Sequence, residues 1–238
     1  MRSSLYVITL VGAICTVGPV LADDATSALA VKGKIVPGSC TPVLSNGGKV
    51  DYGTIQTTSL FRSSNSLGVK NITLSISCSD TGYVGLTATD NRIDSLPDNI
   101  EVAESFFSKV TIRNDSNGSK YLFGLGKTLE NKLVGAFTIG VDIENTRMDG
   151  DGLLYKYVNY STNNGYSWTH SNYNGFYHYT ESLPYIFSFQ GNSANGPIAF
   201  KNAEIPLVIS TAILDARELS VTDKVTLDGN VTFSIVYL

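Results

Sequence analysis

The sequence predicts an all-β protein, an immunoglobulin-like sandwich of antiparallel strands. Short apolar or alternating runs are separated by Gly, Asn, Asp and Ser at intervals typical of sandwiches. No long segment has the 3.6-residue period of an amphipathic helix. Residues 231–238 alternate apolar with mostly polar positions, so the sequence ends within a strand. We expect this strand to leave an open sheet edge unless another segment covers it.

Residues 1–22 have the features of an export signal. Arg2 supplies a positive charge, Leu5 to Cys15 form a short apolar run, and Ala22 ends a run of modest-sized residues suited to cleavage. The apolar run is too short and too interrupted for a good membrane span. A retained amphipathic or membrane anchor is the alternative. We expect an exported mature chain that begins at Asp23.

Seven further segments have the composition and alternation of β-strands. A short helix is predicted around 99–107, and Ser45-Asn46-Gly47-Gly48 supplies the positive-φ residues that tight hairpins need. No Pro-rich or Gly-rich linker divides the mature chain, so residues 37–238 are predicted to form one domain. The predicted strands are 31–36, 49–52, 72–78, 84–88, 109–113, 135–141 and 205–209.

The charge distribution excludes two classes of partner. The chain has a formal net charge of -4 and no cluster of Lys and Arg. Nucleic acids and anionic lipid surfaces both select for basic patches. We therefore expect no nucleic-acid partner.

The cysteine count predicts one disulfide. Once the signal is removed, Cys40 and Cys78 remain, an even number in an exported protein. Closing this 39-residue loop would stabilise the fold by about 4 kcal/mol in the chain-entropy model. A zinc or redox role is the weaker alternative, because there is no C-x-x-C spacing and the two histidines are distant in sequence. We expect no metal and no cofactor.

Catalysis has little support in the sequence. His170 and His178 lie in no recognisable nucleophile setting. Asp149-Gly-Asp151-Gly152 resembles part of a calcium loop but lacks the other ligands, and we interpret it as a turn. We predict that the protein is not an enzyme and has no catalytic residues.

An aromatic segment offers a possible ligand surface. Residues 155–185 hold eight of the thirteen tyrosines and the single tryptophan. Tyr, Trp, Asn, Ser and Gly together are typical of adaptable recognition surfaces. The alternative is that these aromatic residues cover a sheet face or a subunit contact. The candidate residues for a glycan or host-protein site are Tyr166, Trp168, Tyr173 and Tyr177.

Three longer motifs resemble a family of fimbrial-type proteins exported by Gram-negative bacteria. They are Cys40-Thr-Pro-Val-Leu-Ser-Asn-Gly-Gly-Lys-Val-Asp-Tyr-Gly53, Leu122-Phe-Gly-Leu-Gly-Lys-Thr128 and Leu227-Asp-Gly-Asn-Val-Thr-Phe-Ser-Ile-Val-Tyr-Leu238. More distantly, the segment 32–40, the early cysteine pair and the penultimate Tyr237 are similar to chaperone-usher pilin subunits.

The pilin resemblance implies an immunoglobulin-like sandwich that lacks its final strand. In such families a periplasmic chaperone lends a strand to the groove beside the C-terminal strand. An outer-membrane usher then replaces it with the N-terminal extension of the next subunit. Backbone hydrogen bonds give general affinity in this kind of strand addition, and alternate side chains give specificity.

Residues 23–36 are predicted to be this N-terminal donor-strand extension. Ala25, Ser27, Leu29 and Val31 fall on one face of an extended segment and would enter the next subunit. The alternative is that the segment is the first strand of a complete sandwich. In the receiving subunit, the acceptor groove or chaperone contact is predicted at Val231, Phe233, Ile235 and Tyr237.

The functional prediction is therefore a structural subunit of a surface fimbria or pilus, assembled through the chaperone-usher route by donor-strand exchange. Its expected partners are the chaperone, the usher and identical or related subunits in a fibre. Its expected location is the cell surface, reached through the periplasm. The alternative is a tip-located or stand-alone adhesin that binds a host glycan or protein through residues 155–185.

Overall fold

The protein was described from a computed structural model. The chain divides into two compact units, residues 1–36 and 37–238. Within the first unit, residues 29–34 have no regular secondary structure. The predicted signal lies outside the described residues and stays a prediction. The structure describes residues 29–34, 38–98, 100, 109–112, 118–149, 158–178, 180, 182, 185–190, 196–219 and 225–238.

The described part of the second unit is all β, which confirms the predicted fold class. It contains no α-helix, and its short 3-10 segments are Ser45–Gly48, Thr57–Ser59, Ile93–Ser95 and Gly118–Tyr121. Its ten strands are β1 (Cys40–Leu44), β2 (Ser64–Asp90), β3 (Phe123–Gly124), β4 (Gly135–Val141), β5 (Arg147–Met148), β6 (Val158–Ser161), β7 (Thr169–Ser171), β8 (Ile186–Phe189), β9 (Ala199–Leu214) and β10 (Val231–Tyr237).

The long strand β2 takes part in both halves of a sandwich-like arrangement. Its first part pairs with β9 and β1 in sheet A, which also contains β4, β3 and β5. Its last part pairs with β10 and β8 in sheet B, which continues through β6 to β7. All of these pairs are antiparallel. The register with β9 shifts between Ser77 and Gly82, where β2 passes from one sheet to the other.

The core joins apolar side chains from both sheets. Phe176, in the segment between β7 and β8, stacks on Phe187 of β8 with 4.3 Å between ring centroids and meets Phe233 of β10 edge-on at 5.4 Å. Sheet A contributes fully buried aliphatic residues such as Leu74, Ile205 and Leu207. Each such side chain contributes about 1.5 to 3 kcal/mol when it is fully buried.

Four predicted strands lie in strands of the structure, one of them with the predicted bounds. Residues 135–141 form β4 as predicted, and 205–209 lie inside β9. The segments 72–78 and 84–88 are strands, but they belong to the single strand β2. Between them β2 continues without a break through an irregularity in its pairing with β9.

Three other predicted strands are wrong over the residues that the structure describes. Residues 31–34, 49–52 and 109–112 are not in strands. In 49–52, the preceding turn carries the chain away from β2, so the alternating residues have no strand to pair with. The helix predicted at 99–107 lies outside the described residues except for Ile100.

The predicted disulfide is confirmed. Cys40 and Cys78 are bonded, and they stand opposite each other in the register of β1 and β2. The bond therefore fixes the edge strand β1 to the middle of β2. In the described residues, we find no helix of the length and apolar character that a membrane crossing requires.

Candidate functional site

The outer edge of β10 is the first component of the candidate site. Among the described strands, β10 pairs only with β2, from Val231 opposite Asp90 to Tyr237 opposite Val84. At the two ends, Asn91 N–H donates to Asn230 O (2.9 Å) and Leu238 N–H donates to Tyr83 O (3.2 Å). The backbone groups of the even-numbered residues of β10 therefore form the hydrogen bonds to β2, because hydrogen-bonded and non-hydrogen-bonded pairs alternate along an antiparallel ladder.

The backbone groups of the odd-numbered residues consequently point away from β2. These residues are the four predicted for the acceptor groove, Val231, Phe233, Ile235 and Tyr237. The side chains of the first three are partly buried against the core. A segment that pairs with this edge would therefore meet their N–H and C=O groups and lie beside their side chains.

Tyr237 differs from the other three. Its side chain is 55% exposed, and its hydroxyl accepts a hydrogen bond from Cys40 N–H at 2.8 Å. This bond joins the end of β10 to the start of β1, where the disulfide lies. The edges of the two sheets are thereby closed together at this end.

Away from Tyr237 the two sheets separate around an apolar groove of about 160 Å³. One wall is formed by Leu227, Gly229, Val231 and Phe233, and the opposite wall by Leu44, Gly48, Val50 and Tyr52. The floor is formed by inner residues of sheet A, including Ile72, Phe137, Ile139, Leu207 and Ile209.

A second depression of about 560 Å³ continues the groove. It shares Val50, Tyr52 and Leu227 with the first, and it extends along residues 50–57 to Leu60. The groove is therefore longer than the wall formed by β10 itself.

A left-handed turn creates the wall opposite β10. Asn46, Gly47 and Gly48 have φ values of 53°, 59° and 75°, a conformation that glycine and asparagine adopt most readily. Ser45 Oγ accepts a hydrogen bond from Thr73 N–H at 2.9 Å, and Asn46 Nδ2 donates to Lys49 O at 2.8 Å. The chain thus leaves β2 after Leu44, and residues 49–56 run beside the groove without forming a strand.

Tyr52 fixes this second wall to the floor. Its hydroxyl donates to Ile209 O of β9 at 3.1 Å. This contact lies near the irregularity in the pairing of β2 and β9 between Ser66 and Val69. Burial raises the pKa of the Tyr52 hydroxyl, which therefore stays protonated and able to donate. Sequence reasoning missed this residue, although the alternation of Val50 and Tyr52 was a signal for an inward face.

Ion pairs hold the segment that precedes β10. Arg92 Nε lies 2.8 Å from Asp228 Oδ2, and Lys127 Nζ lies 2.7 Å from Asp94 Oδ2. Asp228 N–H also donates to Leu125 O at 2.9 Å. Nearby, the carboxylate of Asp90 accepts hydrogen bonds from backbone N–H groups, while burial raises its pKa. This end of the groove is thus positioned by side chains distant in sequence, which no local pattern could identify.

The four residues predicted as donors are only partly described. Leu29 and Val31 are 92% and 90% exposed, whereas Ala25 and Ser27 lie outside the described residues. Large apolar side chains with this exposure are available to another surface.

The four aromatic residues predicted as a ligand surface make two separate sets of contacts. Tyr177 stacks on the buried Tyr121 at 4.2 Å between centroids, and Tyr173 lies 6.1 Å from Tyr121. Tyr166 and Trp168 instead lie in the turn before β7, where the Trp168 indole N–H donates to Gly165 O at 3.0 Å.

The histidines and acidic residues form no evident catalytic or metal centre in the described residues. His178 Nδ1 lies 3.2 Å from Leu122 O, and burial lowers its pKa. Asp149 accepts hydrogen bonds from the N–H groups of Lys201 and Asn202, while Asp151 lies outside the described residues. No group of three or more His, Cys, Asp and Glu residues that could hold a metal ion occurs in the described part. The absence of enzymatic activity stays a prediction.

Comparison with known proteins identifies relatives over most of the chain. Residues 29–138 match a family described as Protein of unknown function (DUF1120). The chain is 31% identical to Protein GltF of Escherichia coli (strain K12) over 234 residues, which is 91% of this chain and 90% of GltF. The chain belongs to this family. It is also 30% identical over 220 residues to Uncharacterized protein YhcF of the same strain, covering 87% of this chain and 89% of YhcF.

The similarity to GltF and YhcF extends beyond residues 29–138. Residues 29–138 include β1, β2 and the wall around Tyr52, but β9 and β10 lie beyond them. GltF and YhcF align over about nine-tenths of the chain. The names of these relatives state no activity.

Proposed function

We propose that this protein is a structural subunit of a surface fimbria or pilus, assembled by donor-strand exchange. The N-terminal segment of one subunit inserts beside β10 of the next subunit. A periplasmic chaperone protects the groove before assembly, and an outer-membrane usher exchanges the strands. The finished fibre is held at the cell surface.

The observation that carries the proposal is the apolar groove beside the edge of β10 that pairs with no other described strand. Val231, Phe233 and Ile235 of β10 combine outward backbone groups with partly buried apolar side chains, which are the two elements of strand addition. Incoming apolar side chains would cover the floor formed by sheet A. This burial would stabilise the complex by about 25 cal/mol for each Å² of apolar surface removed from water.

The exposed Leu29 and Val31 supply complementary chemistry. They are separated by two positions, so both point to the same side of an extended chain. Contacts between the N-terminal segment of one molecule and the groove of the next join two different surfaces. Such head-to-tail contacts extend into a fibre when the rotation between subunits does not close.

The test is a Leu29→Asp substitution in the full chain. A carboxylate at this position is costly to bury, so fibres isolated from the cell surface should be lost while the subunit still accumulates folded in the periplasm. Ala30→Asp is the matched control, because Ala30 is also exposed but points to the opposite side of an extended segment. Electron microscopy and circular dichroism measure the two outcomes. Normal fibres from the Leu29→Asp variant would contradict the proposal.

A further inference from the structure

The turn before β7 is an ordered scaffold for exposed aromatic side chains. Asn163 Oδ1 accepts hydrogen bonds from Ser167 N–H and from Ser161 Oγ, both at 2.9 Å. Gly165 N–H donates to Ser161 Oγ, also at 2.9 Å. These bonds within the turn fix the backbone on either side of Tyr166.

Trp168 lies over β2 of sheet B and is hydrogen-bonded to the backbone of its own turn. Its indole N–H bonds to Gly165 O at 3.0 Å. Trp168 Cη2 lies 3.7 Å from the position that a Cβ atom would occupy on Gly85 of β2, so the ring lies close over this glycine. The ring is thus fixed before any ligand arrives, which lowers the entropic cost of binding.

The end of β10 continues this surface. A methyl group on Gly165 would lie 2.9 Å from Leu238 Cδ2, so Leu238 packs against the turn. Leu238 is bonded through its N–H to Tyr83 O, which places Tyr83 beside it on β2. The surface therefore runs from Trp168 across Gly165 and Leu238 to Tyr83.

These side chains are exposed although they are large and mainly apolar. Tyr166 is 90% exposed, Tyr83 56% and Leu238 43%. Exposed apolar groups that cluster on one surface mark interaction sites more often than those scattered singly. The hydrogen bonds inside the turn are formed by other residues, so the exposed ring of Tyr166 is not needed to hold the turn together.

The polar side chains of the turn that carries Tyr166 and Trp168 are uncharged. No residue from 161 to 168 carries a charged side chain, and the neighbouring exposed positions of β10 are Thr232 and Ser234. Aromatic faces carry negative charge density that attracts the polarised C–H groups of a sugar ring. Neutral amide and hydroxyl groups can bond its hydroxyls, whereas an anionic ligand would find no cationic side chain in this turn.

We propose that Trp168, Tyr83 and Tyr166 form a platform that binds a neutral carbohydrate. The sugar stacks on the rings, and the amides and hydroxyls of residues 161–167 surround it. This site is on the outer side of sheet B and does not depend on strand exchange at β10. It also differs from the surface predicted from the sequence, because Tyr173 and Tyr177 belong to the cluster around Tyr121.

The test is binding of the purified full chain to an array of neutral, sialylated and sulfated glycans. The proposal expects neutral glycans to bind. The strongest of them is then titrated into the protein in solution, with tryptophan fluorescence as the signal. Trp168 is the single tryptophan of the chain, so an emission change reports on the proposed site directly.

Tyr83→Ala and Tyr166→Ala are expected to weaken binding about tenfold each, since an aromatic contact contributes on the order of 1 to 1.5 kcal/mol. Both side chains are exposed, so the fold should be retained. Leu129→Ala is the control, because Leu129 is 97% exposed at a different turn. The proposal is overturned if no glycan binds, if only charged glycans bind, or if both tyrosine variants bind like the wild type.

Discussion

At the residue scale, Tyr52 explains how a segment without regular structure forms a wall of the groove. Its ring lines the groove, and its hydroxyl bonds to the backbone of β9 at 3.1 Å. The sequence predicted a strand here from the alternation of apolar residues. The alternation correctly indicated an inward face, but a side-chain hydrogen bond replaces the expected ladder.

Tyr52→Phe should lower the free energy of unfolding by about 1 kcal/mol, because it removes this hydrogen bond and keeps the ring. Urea unfolding monitored by circular dichroism measures the change. Tyr83→Phe is the matched control, because Tyr83 is 56% exposed and should alter stability by less than about 0.5 kcal/mol. Equal effects in the two variants would show that the Tyr52 hydroxyl does not hold the wall.

Asp215 gives a prediction about acid stability. Its carboxylate pairs with the guanidinium of Arg217 and accepts the Arg217 N–H, and these interactions lower the pKa of Asp215 to about 2. The unfolded chain has a pKa near 3.9 for this group. The stabilisation is therefore complete above about pH 4 and is lost as the pH falls towards 2.

Melting temperatures measured between pH 6 and pH 2 test this sign. The wild-type protein should lose more stability between pH 4 and pH 2 than an Asp215→Asn variant does, since the variant has no carboxylate at this position to protonate. Comparing slopes within each protein removes any constant cost of the substitution. Parallel curves would contradict the assigned role of Asp215.

At the element scale, the Ser45–Gly48 turn determines where β1 separates from β2. The sequence correctly indicated positive-φ residues here, since Asn and Gly are adjacent. It suggested a hairpin, whereas the structure has consecutive left-handed residues that leave the sheet edge. The structure differs from the predicted hairpin because the conformational preferences of Asn and Gly determine the local φ values. They do not determine which part of the protein the following segment packs against.

Gly47→Ala should destabilise the protein by about 1 kcal/mol, since an L side chain in the left-handed region costs on the order of 1 to 2 kcal/mol. A methyl group at Gly47 meets no atom within 4 Å, so the effect comes from the backbone alone. Gly82→Ala is the control, because that site is equally open and has no positive φ. Urea unfolding should separate the two variants; a Gly47→Ala protein as stable as Gly82→Ala would contradict the argument.

At the scale of the whole molecule, the sequence predicted the all-β fold, the disulfide and the strand Val231–Tyr237 correctly. Each of these depends on a local pattern, either alternation or an even pair of cysteines. The continuous strand β2 and the floor of the groove depend on pairing between segments more than 100 residues apart, such as Ile72 with Leu207. Local composition carries no information about such pairing, so those parts required the structure.

The wall formed by Tyr52 and the ion pair of Asp228 with Arg92 show the same limit. Each brings a loop residue to a strand or turn from a distant part of the chain. The residues of β10 were predictable because they lie on one strand, while the opposite wall of the groove was not.

We propose that the groove beside β10 receives residues 23–36 of another molecule. The most direct measurement is the thermal unfolding of oxidised protein comprising residues 37–238, alone and with a synthetic peptide of residues 23–36. At a free peptide concentration about 100 times the Kd, binding to the native state should add about 2.7 kcal/mol. For a chain of this size that raises the melting temperature by roughly 5 to 10 °C.

The control peptide carries Leu29→Asp and should have little effect, because its carboxylate would enter the apolar groove. We expect a large rise in the melting temperature with the natural peptide and no rise with the control peptide. A stable protein whose melting temperature is the same with either peptide would contradict it.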